Sequence, residues 1–128
     1  MALFSRSAKA EEARLAAETA AAFAELGRLA LEGVTPIGDA EWRARVKVAG
    51  RVKALRIQPW SEKIQSLEIT LVDGTGGLTV VFLGRRQIGG IKLGARVVVE
   101  GTVAETRKQL ALLNPAYQLL PHEVALPY

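Results

Sequence analysis

The chain has 128 residues, a length that fits one domain with an appendage. Of these residues 49% are hydrophobic, which is enough to fill one compact core. It contains no cysteine, which excludes disulfides and thiolate metal sites. The formal net charge of +4 is unevenly divided, because residues 1–40 hold four basic and six acidic side chains whereas residues 41–128 hold thirteen and seven. The second part is therefore the cationic part, and a polyanionic partner is plausible there.

The N-terminal residues, MALFSRSAKAEEARL, lack the uninterrupted apolar segment of a secretory signal. No stretch approaches the roughly 20 apolar residues that span a bilayer. Together with the absence of cysteine, these features lead us to expect a soluble, cytoplasmic protein without a membrane partner.

Residues 8–32 have a helical pattern, with abundant alanine and charged side chains recurring at spacings of three, four and seven. We expect Ser7 to cap this helix and Gly33 to end it. The face opposite the charges is apolar and carries Leu15, Thr19, Ala22, Leu26 and Leu29, broadened by Ala16, Phe23 and Ala30. Two interpretations remain open for this face: packing on the chain's own barrel, or pairing with another copy or a protein partner.

After the connector at residues 34–40 the period changes to two. Arg43, Arg45 and Lys47 alternate with small and apolar residues, which predicts a half-buried first strand. Gly50 interrupts the alternation, and its parity has shifted by Leu55. A long first strand that bends at a glycine is expected where a small barrel closes.

Residues 67–82, LEITLVDGTGGLTVVF, predict a hairpin that supplies the second and third strands. Alternate positions are apolar on both sides of the turn, so one face of each strand is buried. We expect the glycines of the turn to occupy the positive-φ positions of a tight hairpin.

Two further strands are predicted at residues 95–104 and 108–120, after a turn-rich and partly helical segment that follows the third strand. Five strands in this order, with an intervening element after the third, indicate an OB-fold. The predicted fold is mainly β: a five-stranded OB-fold barrel preceded by an N-terminal amphipathic helix. The predicted divisions are residues 1–33 for the helix, 34–121 for the barrel and 122–128 for a tail.

The barrel segments VAGRVKALRI, LEITLVDGTGGLTVVFLG, GARVVVEGTV and LALLNPAYQLL resemble the OB-fold wedge domain of the RecG branch-migrating helicase. They are also similar to small stand-alone bacterial OB-fold nucleic-acid-binding proteins, which share a Thr-Pro-Ile segment before the first strand. The resemblance runs from Thr35 to Leu120 and implies an OB-fold that contacts branched DNA. The chain lacks the GxxxxGK[ST] phosphate loop of the RecG motor, so it is not an ATP-driven motor.

OB-folds bind single strands across the second and third strands and the flanking loops, with cations for phosphates and aromatic side chains for bases. The outward positions of this hairpin carry no aromatic side chain, so its own face is a poor stacking platform. The candidate nucleic-acid-binding residues lie instead on the first strand and the loops: Arg43, Arg45, Lys47, Arg51, Lys53, Arg56, Trp60, Lys63, Arg85, Arg86, Arg107 and Lys108. The cations among them form either a phosphate track or an ordinary solvated surface.

The two tryptophans are predicted to differ. Trp60 lies among cations in the loop after the first strand, where it either stacks on a base or plugs the barrel. Trp42 precedes the first strand and is predicted to anchor the core or the helix. Tyr117, in the segment Asn-Pro-Ala-Tyr, is predicted to pack.

Catalysis finds little support, because His122 is the only histidine and the carboxylates show no close pair. We expect no enzyme activity, no metal and no cofactor. The predicted function is the binding of single-stranded or branched nucleic acid, DNA or RNA, with little sequence specificity. The alternative is a protein-interaction or homo-oligomeric assembly module that uses the N-terminal helix and binds no nucleic acid.

Overall fold

The computed structural model describes the backbone of residues 2–128 and the side chains from Ser7 onward. A long helix, α1, and a short 3-10 helix precede six strands. The bounds are α1 Ala2–Ala30, the 3-10 helix Ile37–Asp39, β1 Arg45–Pro59, β2 Gln65–Asp73, β3 Gly76–Leu83, β4 Arg96–Thr106, β5 Gln109–Leu113 and β6 Ala116–Leu120.

The strands close into a barrel in the order β1-β2-β3-β5-β4, since β4 also pairs with β1. All pairs are antiparallel except β3 with β5, which is parallel. The predicted OB-fold barrel with an N-terminal helix is therefore confirmed.

Strand β1 serves two partners because it bends. Residues 45–51 pair with β4 and residues 51–59 pair with β2, and the register shifts between Val52 and Ala54. Gly50 lies at the junction, where an added Cβ would come within 2.5 Å of the Val72 carbonyl oxygen. The expected bend is present, and the glycine is needed there because the backbone of β2 approaches so closely.

The β2–β3 turn forms for a reason that differs from the prediction. None of its glycines has a positive φ; the structure places positive φ at other glycines, such as Gly84 and Gly94. The Asp73 carboxylate holds the turn by accepting hydrogen bonds from the Thr75 amide at 2.7 Å and the Gly76 amide at 3.1 Å. It also accepts the Ile37 amide at 2.9 Å, which ties the connector to the turn.

The last predicted strand is broken in two. Asn114 adopts a left-handed conformation (φ 46°), its side chain accepts the Leu83 amide, and its own amide donates to the Val81 carbonyl. The chain then leaves β3, and β6 pairs with β4 instead. The segment expected to be partly helical, residues 84–93, contains turns and bends and no helix.

The barrel core is built from alternate residues of the strands and closed at both ends by isoleucines. Ile37 is buried beside the β2–β3 turn, whereas Ile88 and Ile91 are buried in the segment that follows β3. The connector thus closes one end of the barrel and the turn-rich segment closes the other.

Among the α1 residues whose side chains the structure describes, those in the last turns pack on the barrel and the C-terminal tail. Ala30 packs on Ala49, Val98 and Leu120, and a Cβ on Gly27 would meet the Val124 side chain at 2.5 Å. The glycine therefore allows the C-terminal tail to approach the helix closely.

The predicted end of the helix is right and its predicted start is wrong. Gly33 has a φ of 77° just beyond the last turn, as a helix-ending glycine does. The helix begins at Ala2, so Ser7 lies inside it and does not cap it. The apolar face predicted for this helix is not covered by the barrel, since Leu15, Phe23, Leu26 and Leu29 are each about half exposed.

Candidate nucleic-acid interface

The acidic side chain of Glu68 lies at the centre of the candidate site, beside two arginines. Glu68 lies on the outer side of β2, opposite Arg56 on β1, and is almost completely buried. Arg56 donates a hydrogen bond to Glu68 at 3.0 Å, and the Arg107 guanidinium lies 4.0 Å from the other carboxylate oxygen. One carboxylate therefore lies beside two guanidiniums, of which it binds Arg56 directly, and both arginine side chains are at least half exposed.

Arg107 joins the β4–β5 turn to the end of β1. It adopts a φ of 47° in the two-residue turn, and its guanidinium donates to the Gln58 side chain and, at 2.8 Å, to the Pro59 carbonyl. In OB-folds these two loops flank the ligand. Here the Arg107 side chain connects the two loops.

Trp60 follows this contact in the loop between β1 and β2. The loop is tight, because the Trp60 and Ser61 amides both donate to the Ile64 carbonyl. The indole is 36% exposed and lines a surface pocket of about 380 Å³ with Arg107 and Leu113. Trp60 therefore has most of its surface packed and the rest accessible beside a cation, which lies between the two interpretations.

The outer face of β2 and β3 agrees with its prediction as a poor stacking surface. Val81 is buried, Thr70 and Thr79 are half-buried, and Glu68 occupies the centre. Bases have no aromatic partner on this face, so the candidate contacts lie at its border with the loops.

A second group of cations borders the cleft beside the barrel end. Arg56 and Arg86 line this cleft, about 350 Å³ in volume, whose apolar wall includes Leu55, Ile57 and Ile91. The structure thus places Arg86 in the same cleft as Arg56, although thirty residues separate the two in the chain.

The cations in the first half of β1 have structural partners. Arg45 forms an ion pair with Glu100 at 3.6 Å, and the Lys47 amine donates to the Glu32 carbonyl just beyond α1 at 2.7 Å. Lys47 therefore satisfies a free carbonyl at the helix end. Arg51 lies elsewhere, in a cleft with Asp73 and Arg96 near the β2–β3 turn.

The other predicted cations are exposed and spread over the surface. Lys108 shares the β4–β5 turn with Arg107, with a φ of 67°. Lys53 lies at the bulge of β1, Lys63 in the loop of Trp60, and Arg85 directly after β3. The twelve predicted residues therefore form a cluster around Glu68 with outlying members, and not one continuous track.

The prediction for Trp42 is wrong. Its side chain is 53% exposed, and the Arg43 guanidinium lies over the indole at 4.2 Å from the ring centre. Tyr117 does pack, edge to face against Phe82 with ring centres 5.6 Å apart, although it remains partly exposed.

The role of Glu68 was missed from the sequence, where it appeared only as one acid on an outward position. The signal was present: in an antiparallel hairpin arrangement Glu68 falls opposite Arg56, and opposite charges across strands attract. The contact with Arg107 had no such signal, because it depends on how a distant turn folds over.

No group of three or more potential metal ligands occurs among the residues that the structure describes. No helix in that same part of the chain combines the length and apolar character that a membrane span requires.

A family model described as an OB-fold nucleic acid binding domain, of the tRNA anti-codon type, matches residues 46–123. The chain belongs to this family. The match runs from β1 through β6 and so includes Arg56, Trp60, Glu68 and Arg107.

Among solved structures, the chain is similar to one in the crystal structure of the S. pombe Stn1–Ten1 complex, with 20% identity and a TM-score of 0.48. The similarity covers 59% of this chain and 57% of that one, so it spans little more than half of each. Curated protein sequences contain no match to this chain.

Proposed function

We propose that this chain is a non-enzymatic module that binds single-stranded or branched nucleic acid with little sequence specificity. The bound strand lies over the loop of Trp60 and the β4–β5 turn. The observation that carries this proposal is the contact of Arg107 with Gln58 and Pro59, which joins the two loops beside an exposed indole and a second arginine. Membership in a family of nucleic-acid-binding domains supports it.

The chemistry of the cluster favours phosphates and base faces over base edges. Arg56 and Arg107 are oriented by Glu68 and still expose N–H groups, so they meet a phosphate at little cost in side-chain entropy. The Trp60 indole offers a π face that any base can stack on. Such contacts distinguish poorly between sequences, which is why we propose weak specificity.

The resemblance of the barrel to the RecG wedge supports branched DNA as one substrate. RNA shares the phosphate and stacking chemistry and is the competing substrate. Binding measurements on matched DNA and RNA oligonucleotides decide between them.

Fluorescence anisotropy of labelled single-stranded DNA, single-stranded RNA and forked DNA over a salt series tests the proposal. We expect binding at low salt that weakens with a slope of about −0.7 per phosphate contacted on a single strand. Failure to bind all three ligands at low salt would refute the proposed function.

Trp60→Ala tests the stacking contact. We expect single-strand affinity to fall about tenfold or more, since one base–aromatic stack contributes about 1–3 kcal/mol. Trp60→Phe is the matched control and should retain most of the affinity, while circular dichroism should show both variants folded. Equal affinities for wild type and Trp60→Ala would remove Trp60 from the site.

A second candidate function, assembly through α1, rests on the uncovered apolar face. Leu15, Ala22 and Leu29 are spaced seven residues apart and the two leucines are about half exposed, as in a helix that pairs with another. Light scattering should then show a larger mass for wild type than for Leu15→Glu/Leu29→Glu. Ala17→Glu, on another face of the helix, is the control; a monomeric wild type argues against assembly by self-pairing.

A further inference from the structure

Trp42 and Arg43 form an exposed stacked pair outside the cluster around Glu68. Large aromatic side chains usually bury most of their surface, yet the Trp42 indole is 53% exposed. The Arg43 guanidinium covers part of the ring at 4.2 Å from its centre. The pair presents a π surface and a cation at one place, the two groups that a nucleotide needs.

The backbone that carries this pair is strained. Arg43 has a φ of 71°, a left-handed conformation that is unfavourable for a residue with a long side chain. The conformation is held from outside, because the Arg43 amide donates to the Val103 carbonyl at 2.8 Å and the Val103 amide donates to the Ala44 carbonyl at 2.9 Å. Residues with such backbone conformations are frequent at functional sites. A glycine at position 43 would adopt this conformation without strain.

The same hairpin links the pair to the proposed site. Val103, which holds Arg43, and Arg107, which holds the loop of Trp60, are four residues apart on β4 and its turn. At about 3.3 Å per residue the two points are about 13 Å apart along the strand. One single strand that follows the β4–β5 hairpin spans such a distance within the 4–16 nucleotides that an OB-fold occupies.

We propose that Trp42 and Arg43 form a second contact point for the strand, in which the indole stacks on a base and the guanidinium meets a neighbouring phosphate. This inference rests on the proposed function and extends the site from the Trp60 loop to the start of β1. The bound nucleic acid then contacts two tryptophans, one near each end of the β4–β5 hairpin.

The two tryptophans are the only ones in the chain, so each serves as its own reporter. In Trp60→Phe all indole fluorescence comes from Trp42, and in Trp42→Phe all of it comes from Trp60. Both variants are titrated with an oligothymidine of about 12 nucleotides, while anisotropy of the labelled strand measures binding independently. We expect the strand to quench both variants, with the same midpoint as the anisotropy.

The outcomes separate the two proposals. If Trp60→Phe binds the strand by anisotropy but its fluorescence does not change, the second contact point is wrong and the proposed function stands. If wild type binds no strand, the proposed function fails first. Quenching of Trp42 alone would support the second contact point and move the main site away from Trp60.

Arg43→Gly tests whether the pair serves binding or the fold. We expect its melting temperature to equal or exceed that of wild type, because glycine accepts the left-handed conformation. We also expect the salt dependence of binding to become less steep by about 0.7, the loss of one phosphate contact. Arg45→Ala is the matched control: it removes the same charge from a side chain paired with Glu100 and should leave the slope unchanged. A lower melting temperature with unchanged binding would show a purely structural pair and overturn the inference.

Discussion

The two halves of β1 carry cations at similar spacing but place them in different surroundings. In the first half, Lys47 donates to the Glu32 carbonyl just beyond the end of α1 and Arg45 forms an exposed ion pair with Glu100, so neither belongs to the cluster around Glu68. In the second half, Arg56 is oriented by Glu68 and remains exposed beside Arg107 and the Trp60 loop. Because β1 bends, cations at similar strand positions have different neighbours, and in the proposed function only those beside Glu68 contact the nucleic acid.

Gly50→Ala disturbs the junction between the two halves of β1 and should destabilise the strand pairing of both. Its Cβ would lie 2.5 Å from the Val72 carbonyl oxygen, so one backbone must shift. We expect the free energy of unfolding to fall by about 1–3 kcal/mol, as for other overpacked sites. Urea denaturation measures the change, and Gly89→Ala, where a Cβ meets no atom within 4 Å, is the control. Equal effects of the two substitutions would mean that the close approach at Gly50 is relieved without cost.

Arg107→Ala and Lys47→Ala compare the cluster beside the second half of β1 with the first half of β1 by their effect on binding. We expect Arg107→Ala to weaken single-strand affinity about tenfold, because a hydrogen bond to a charged group contributes about 1.5–3 kcal/mol. Lys47→Ala should change affinity less than about twofold and instead lower the stability of the helix end, since an interaction with the last carbonyls contributes about 0.3–1 kcal/mol. Anisotropy and thermal melting of both variants make the comparison. Similar affinity losses in the two variants would show that the first half of β1 contacts the strand as much as the cluster around Glu68 does.

Glu68→Gln removes the negative charge beside the second half of β1 and should raise the affinity for nucleic acid. Arg56 would keep a hydrogen-bond acceptor, and both Arg56 and Arg107 would lose the nearby opposite charge. Two unit charges at about 4 Å interact by about 1 kcal/mol in water, so we expect affinity to rise roughly fivefold at low salt. The gain should shrink as salt increases. A loss of affinity would instead mean that the orientation which Glu68 gives the guanidiniums outweighs the charge that it neutralises.

Asp73→Asn changes the β2–β3 turn, which lies outside the proposed site, and should therefore alter stability but not binding. Burial raises the pKa of Asp73, but the hydrogen bonds from Thr75, Ile37 and Gly76 outweigh it and lower the pKa below its ordinary value of 3.8. The ionised form therefore contributes stability that is present above pH 3.8 and is lost as pH falls through the lowered pKa.

We expect Asp73→Asn to be about 1 kcal/mol less stable at neutral pH, with the difference shrinking below about pH 4. Chemical denaturation at several pH values measures it, and single-strand affinity should stay at the wild-type value. A difference that is independent of pH would contradict the role of the charged carboxylate.

The alternation of apolar residues was enough to predict the barrel, since period two in residues 67–82 and the shift near Gly50 are local signals. The break at Asn114 was less visible, because its partner Leu83 is 31 residues away. Asp73 holds its turn through Thr75 and Gly76, which was a local signal, whereas its bond to Ile37 spans 36 residues. Several contacts of the candidate site residues were likewise not predictable, because they join distant parts of the chain. The sequence lists twelve candidate residues, but it cannot show that Lys47 is bound to the Glu32 carbonyl or that Arg107 reaches Pro59. Trp42 was misassigned because burial of tryptophan is a general tendency, which Arg43 overrides here.

The most direct test of the account is amide chemical-shift mapping of the labelled full chain with a single-stranded oligonucleotide. We predict that the largest perturbations fall in residues 56–63 and 105–108 and include the Trp60 indole, whereas residues 45–49 of β1 change little. Perturbations centred on residues 45–49, with the Trp60 loop unaffected, would contradict the proposed site.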